Sequence, residues 1–546
     1  MSTSVILASA FVLSFVALLV FIWSQRHGLF SRDSTGANVI FGAEEIGRAE
    51  EPAVTSTAAH ALQQQVNRAS GKIAAPASAS DLRTRAAADE SSTPVVFFMF
   101  CAAFAWLLVA TAAGLLASYK LHEPDFLTQH AWLTFGRVRT LHLNAVAYGW
   151  APMAGLGIAM FVLPRLLGRP LLGGGFAMLG AALWNAALIS GLASIAVGIN
   201  DGLEWLEIPW QIDVLFVAGG LLVAVPLVLT LAKRKVEHLY VSVWYMACAL
   251  FWFPVMFVVA NIPGLHRGVE QATMNWWFGH NVLGLFYTPL ALAAVYYFLP
   301  KVIGRPVQSY NLSLLGFWGL AFFYGQVGGH HLIGGPVPAW LITLSIVQSM
   351  MMVLPVIAFT VNQYQTLEGY LSALRYSPTL RFIGLGGLMY TASSLQGSFE
   401  ALRSVNAVTH FTHYTVGHSH LGLYAFVTLV FFGAMYFIVP RVTRREWPYP
   451  RLIAAHFWLS SIGVAIYVIA LCVGGWLQGE AMLDAGKPFM DSVSVTLPYL
   501  KARTVGGALM GLGHLVFATH FACMIFNLGP RRIGATLLGE APAGAP

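Results

Sequence analysis

Charge is what this chain has least of. Of its 546 residues, 10% are Asp, Glu, Lys or Arg and 57% are hydrophobic. A soluble globular protein carries about 25% charged residues, so that class is excluded, and long apolar runs recur instead. Cysteine is also scarce. The four present, Cys101, Cys248, Cys472 and Cys523, all sit within apolar runs, with no C-x-x-C pair and no C-x-x-C-H motif. A thiolate copper site and a covalently attached c-type haem on this chain are thereby excluded. The start lacks a basic flank and a small-residue cleavage site, which excludes a signal peptide in favour of an uncleaved anchor. The formal charge of +7 belongs with cytoplasmic loops of a membrane protein rather than with nucleic acid.

About thirteen hydrophobic segments read as membrane-spanning helices. Their approximate cores are 4–24, 94–118, 142–164, 173–199, 212–232, 238–262, 273–300, 311–333, 337–360, 379–398, 413–440, 451–475 and 504–528. With the first N-terminus outside, 22 of the 30 Lys and Arg fall in cytoplasmic segments, as the positive-inside bias requires. The expected fold is an all-α polytopic helix bundle. Its expected parts are an N-terminal anchor (1–33), a disordered cytoplasmic linker rich in Ala, Ser, Thr and Glu (34–93), a twelve-span domain (94–530) and a C-terminal tail (531–546).

Ionisable residues inside a bilayer are costly and mark function. Six of the 17 histidines are placed tellingly in spans: His142, His280, His330, His331, His418 and His420. The orientation puts all six in the outer half of the membrane. Neutral imidazole is a good ligand for copper and haem iron, and six at one depth point to a metal centre in the bundle core. His418 and His420 differ by about 200° on a helix, so each could serve a different group. The adjacent His330 and His331 would diverge by about 100° on a regular helix, and Gly328 and Gly329 could loosen the backbone there.

At these residues the sequence resembles the catalytic subunit of the cbb3-type cytochrome c oxidases, the C-family of haem–copper oxidases. The likeness runs from about 94 to 530, through FGRVRTLHLNAVAYG (135–149), QATMNWWFGHN (271–281), FYGQVGGHH (323–331) and SVNAVTHFTHYTVGHSH (404–420). It implies a twelve-helix oxidase core plus one extra N-terminal span, in a bacterial cytoplasmic (inner) membrane. It implies that His142 and His420 are axial ligands of a low-spin haem b, that His418 is the proximal ligand of a high-spin haem b3, and that His280, His330 and His331 hold one copper ion, CuB. Tyr324 matches the family's active-site tyrosine, cross-linked in the family to the copper ligand matched here by His280. On an α-helix Tyr324 lies roughly 9 Å below His330, at a depth similar to that of His280. The activity implied is reduction of O2 to water with proton uptake, with Tyr324 supplying one electron as a hydrogen atom. Membrane-anchored c-type cytochrome subunits, with cytochrome c as donor, would deliver electrons. Tyr296, Tyr297, Tyr310 and Ser313 match in part the family's proton path from the cytoplasm. Residues 26–41 resemble a small single-span maturation protein of these oxidases, which implies a fusion.

Some positions depart from the family. Gln396 stands where a glutamate is expected, with Glu400 one turn on. His413 replaces an aspartate, and Gly329 replaces a proline. Two other functions remain open. A nitric oxide reductase shares the fold but places a glutamate one turn after the first histidine of its non-haem iron site, where this chain reads Asn281, Val282, Leu283, Gly284. A proton or metal-ion transporter would spread polar groups across the membrane depth instead of gathering them in one layer.

Overall fold

The computed structural model describes residues 3–29, 34–42, 45–50, 56–71 and 79–530; the expected tail 531–546 lies outside them. Long apolar runs can satisfy their backbone N–H and C=O groups away from water only as helices, and the described residues form helices and no strand. Among the described residues ten helices are long and apolar enough to cross a membrane, and Phe15–Arg26 is a shorter apolar stretch. The expected segment 311–333 takes two forms: an α-helix, Tyr310–Phe323, that tightens into a 3-10 helix, Tyr324–Leu332. Segment 337–360 is split into Ala339–Met351 and Val353–Leu367, and segment 379–398 is the helix Pro378–Glu400.

Burial sorts the helices into a centre and a rim. Phe135–Leu166, Val269–Ile303 and His413–Thr443 have 94%, 89% and 83% of their apolar windows buried inside the protein, against 33–50% for the other seven. The rim helices keep apolar faces for lipid. The three central ones carry His142, His280, His418 and His420. Each changes from α to π winding just past its histidines, at Ala145–Trp150, Leu283–Tyr287 and Leu421–Thr428. Single π turns inside α-helices cluster at functional sites because they shift the facing of the side chains around them.

Helices in lipid gain nothing from hydrophobic burial against each other, so close packing at small residues holds them. The hairpin Pro450–Leu483 with Phe489–Ile525 shows this. A Cβ on Gly506 would lie 2.7 Å from the Gly463 carbonyl oxygen, and one on Gly463 would lie 2.8 Å from the Gly506 carbonyl oxygen.

The region expected to be a disordered linker differs from that expectation. The described parts of 34–93 contain a 3-10 turn, Ser34–Asn38, a helix, Ser56–Ser70, and the first turns of the 42-residue helix Ala79–Lys120. The polar composition points to disorder, but Ala37, Ile40, Leu62 and Val66 reach the core, and buried ion pairs tie down the acidic residues. Lys301 Nζ bonds Glu45 Oε2 at 2.8 Å, and Arg441 Nη2 bonds Glu50 Oε1 at 2.5 Å. Arg85 pairs with Glu45, and Arg165 grips both carboxylate oxygens of Asp89 at 2.6 Å. The Gly47 N–H donates to the Gly304 carbonyl at 2.7 Å, and the Glu50 N–H to the Val302 carbonyl at 3.2 Å. Burial alone would push the Glu50 carboxyl up, but Arg441, Arg85, Lys301 and Arg165 hold it well below the usual carboxylate range.

Two measurements check this account. Gly506→Val would prise the hairpin apart at a cost of about 1–3 kcal/mol, seen as a lower thermal unfolding midpoint in detergent, while Leu512→Val on the exposed face leaves the midpoint in place. Glu50→Gln leaves buried guanidinium groups short of a counter-charge and is expected to cost about 3 kcal/mol. Because the folded-state pKa of Glu50 is depressed, its contribution is complete above the ordinary glutamate value and is lost as pH falls through the depressed one. The gap between wild type and Glu50→Gln should therefore narrow in acid; a gap independent of pH would refute the charge account.

Candidate functional site

One cavity of about 460 Å³ is lined by His142, His280, Tyr324, His330, His331, His418 and His420. The residues singled out in the sequence are therefore brought together, and they form three groups within this space.

The first group gathers on two elements. Helix Val269–Val282 delivers His280, and the 3-10 helix delivers the rest. At three residues per turn, positions three apart eclipse, so Tyr324, Val327 and His330 share one face and all three line the cavity. The regular α-helix assumed from sequence is thus corrected: six residues make two whole 3-10 turns. His280, His330 and His331 each offer a ring nitrogen, and these atoms lie within 4.8 Å of one another. Ring centres are 4.9 Å apart for His280 and His330, 5.2 Å for His280 and His331, and 4.5 Å for His330 and His331. The Ser349 hydroxyl donates to the Ser345 carbonyl at 2.8 Å, so it accepts from His330 Nδ1 at 3.2 Å. That fixes the proton on Nδ1 and leaves Nε2 free as a ligand. His331 stacks on Trp276 at 4.3 Å. His280 Nδ1 is buried without a hydrogen-bond partner, an arrangement that bonding to a metal would explain. The donor set of three neutral imidazoles fits copper.

Tyr324 lies against His280, ring centres 5.2 Å apart and planes 27° from parallel. The close approach needs Gly284, one turn after His280: a Cβ there would collide with the Tyr324 ring and hydroxyl. The Tyr324 side chain occupies the room that any side chain at 284 would need.

The second group is His142 with His420. Their rings are parallel to within 5° and their centres 6.3 Å apart. A metal bonded to two imidazole nitrogens at about 2 Å each would hold the ring centres roughly 6 Å apart, so one iron fits between them. His142 Nδ1 donates to the Ala110 carbonyl at 2.7 Å and His420 Nδ1 to the Val416 carbonyl at 2.9 Å, which leaves Nε2 of each ring as the free lone pair. Gly114 gives His142 its room, since a Cβ there would lie 2.6 Å from His142 Nδ1.

His418 forms the third group. Its Nδ1 donates to Gln396 Oε1 at 3.3 Å, and Gln396 Nε2 donates to Cys472 Sγ at 3.3 Å. The glutamine that departs from the expected carboxylate therefore contacts the histidine directly, as a neutral acceptor. Glu400 is buried one turn on, and His413 lines the cavity.

Among the described residues, no side chain of the four expected proton-path residues bonds the side chain of another. The Tyr310 hydroxyl donates to the Leu239 carbonyl at 3.0 Å, Ser313 to the Tyr310 carbonyl at 2.6 Å, and Tyr297 accepts from Arg165 at 3.2 Å. Tyr296 lies apart, on a small cavity beside Asn362. Sequence reasoning missed Ser349, Val327 and the spatial role of Gly284. The one available signal was that Gly284 stands four residues after His280.

Comparison with known proteins extends these observations. The cytochrome C and quinol oxidase polypeptide I family matches residues 94–509. The chain is 33% identical over 429 residues to the cbb3-type cytochrome c oxidase subunit CcoN1 of Stutzerimonas stutzeri, covering 76% of this chain and 90% of that one. It is 31% identical over 437 residues to cytochrome c oxidase subunit 1 of Rhodobacter capsulatus, covering 76% of this chain and 82% of the relative. A heme-copper terminal oxidase dimer solved by cryo-EM has the same fold, with TM-score 0.65 and 19% identity over 83% of this chain and 86% of its own. The matched stretch contains Tyr324 and the six histidines of the three groups, and the chain belongs to the subunit I family of the haem–copper oxidases, as a multi-pass cytochrome c oxidase subunit similar to the cbb3-type members.

Proposed function

We propose that this subunit reduces O2 to water with electrons from c-type cytochromes and takes up protons as it does so. His142 and His420 hold a low-spin haem b, His418 a high-spin haem b3, and His280, His330 and His331 one copper, CuB. The supporting observation is the single cavity into which a parallel histidine pair, a lone histidine and a histidine triad all turn. Once bound, the irons and the copper supply the oxygen-binding position and most of the electrons.

The chain's own residues do the rest. Ala110, Val416, Ser349 and Gln396 hold four imidazoles in the tautomer that presents Nε2. Tyr324, beside His280, offers its Oη–H as a source of a proton and an electron at the metal face. The apolar walls of the three central helices keep bulk water from the cavity. The lack of a c-type haem motif in this chain accords with electron delivery by separate membrane-anchored c-type cytochrome subunits. A bacterial inner membrane is the setting that these relatives suggest. We further propose the division into anchor (1–33), linker (34–93), catalytic domain (94–530) and tail (531–546).

The competing nitric oxide reductase reading is disfavoured by position 284. It places a glutamate in the turn after the first histidine, a turn that holds no acid here and ends at Gly284, where the Tyr324 ring fills the space of a side chain. The transporter reading is disfavoured because the histidines converge on one cavity.

Elemental analysis with a reduced-minus-oxidised spectrum of the purified complex is expected to give two b-type haems and one copper per chain; extra non-haem iron without copper would turn the reading to nitric oxide reduction. His420→Ala should abolish the low-spin signal while copper content is retained. Gln396→Glu places an anionic acceptor on His418 Nδ1. The expected result is a lower midpoint potential of the high-spin haem in a redox titration, with the low-spin haem unmoved; an unmoved high-spin potential would break the link between Gln396 and the haem.

A further inference from the structure

Cations buried at the basic face of the bundle have clear partners. Arg85, Arg165, Lys301 and Arg441 meet Glu45, Glu50 and Asp89, and Arg445 donates to the Leu528 and Gly529 carbonyls. One cluster on that face is different. The loop after Ala151–Leu166 carries Arg169, and the loop after Trp210–Ala232 carries Lys233, Arg234 and Lys235. The ion pairs of the described residues include none of these four, nor the exposed Glu237 close by in the second loop.

The two loops are tied together. The Lys235 N–H donates to the Leu167 carbonyl at 3.0 Å, and Arg169 Nη1 donates to the Lys233 carbonyl at 2.8 Å. Like charges gathered in this way repel one another. Nε of Arg169 and Nε of Arg234 are each buried with no hydrogen-bond partner. Buried donors in native proteins are almost always paired, so these two call for an acceptor, and the charge around them calls for an anion. The apolar side of the cluster says which anion. Gly173 opens the helix Gly174–Val197 with φ +72° and no side-chain cap, and the Leu172 N–H beside it donates to Thr230 Oγ1 at 3.0 Å. Phe176 and Leu229 meet there: a Cβ on Gly173 would lie 3.3 Å from Phe176 Cδ2 and 3.7 Å from Leu229 Cδ1. Phe176, Leu179, Val228 and Leu229 are exposed, on two rim helices that keep apolar faces for lipid. The basic cluster therefore stands at the edge of an acyl-chain surface.

We propose that Arg169, Lys233, Arg234 and Lys235 bind the phosphate of an anionic phospholipid whose acyl chains lie along Phe176 and Leu229. The two guanidinium groups donate to the phosphate oxygens, and the two lysines add charge. A soluble phosphate or an acidic peptide would use the cations but leave the adjoining apolar surface unused; a phospholipid uses both. Bound there, it bridges the two loops and fastens the rim helices Gly174–Val197 and Trp210–Ala232 at their basic ends. The site rests on the membrane-spanning fold and is independent of the oxidase reading.

Native mass spectrometry of the whole complex in detergent tests it, with dioctanoyl phosphatidylglycerol and dioctanoyl phosphatidylcholine as probes. The wild type is expected to bind the anionic lipid about tenfold more tightly than the zwitterionic one. Arg169→Gln/Arg234→Gln should bring the two affinities within about twofold, while Arg375→Gln/Arg451→Gln, which removes two exposed cations elsewhere on the same face, keeps the preference. Lys233→Gln/Lys235→Gln changes only exposed side chains and should weaken phosphatidylglycerol binding about fivefold, which decides the matter where the arginine variant fails to fold. A wild type without preference overturns the site. So does an equal loss in the Arg375/Arg451 variant, which would assign the attraction to the basic face as a whole. Inorganic phosphate is expected to leave the bound phosphatidylglycerol in place; its displacement would mean a soluble-anion site and overturn the lipid assignment.

Discussion

The site depends on one constraint: an imidazole in the membrane interior must be neutral and must place both its nitrogens. Four histidines meet it in the same way. His142 and His420 donate Nδ1–H to carbonyls, His330 to a serine hydroxyl and His418 to a glutamine oxygen. A neutral ring so anchored costs far less to bury than an imidazolium would, and it turns its remaining lone pair inward. Burial, tautomer and ligand geometry are thus one problem with one solution, carried for His142, His418 and His420 by two of the most buried helices and for His330 by the 3-10 helix beside them.

How the backbone meets this demand is uneven. The three central helices each switch to π winding beside their histidines, while the helix that bears Tyr324, His330 and His331 tightens to 3-10. Wider winding and narrower winding serve the same end, which is to aim side chains that regular α spacing would scatter. Lipid tolerates such irregularities where neighbouring helices enclose them, and these four stretches all border the shared cavity.

Much of this was legible in the sequence. Hydropathy marked the helices, and the positive-inside bias gave an orientation under which six histidines fell at one depth. That depth is set by sequence position alone, so it survives errors in helix type. What could not be read was the winding. Tyr324 and His330 were spaced as on an α-helix, because apolar runs look alike whether the turn holds 3.0 or 3.6 residues. Contacts between distant segments were equally hidden. The sequence shows Gln396 as a departure from an expected carboxylate, but not its bond to His418, which joins separate helices. The stretch 34–93 reads as too polar to fold; its described parts are held where Leu62 and Val66 are buried and where Glu45, Glu50 and Asp89 meet cations supplied by helix ends far along the chain.

The close fit of Tyr324 against Gly284 has a historical consequence. The two positions cannot both carry bulk, so a carboxylate at 284 and a tyrosine at 324 exclude one another. A lineage moving between a phenol-bearing and a carboxylate-bearing pocket could not make the change by adding one group before discarding the other. It would have to pass through an intermediate ancestor that possessed neither, and the depth of that valley sets how rarely the crossing is made.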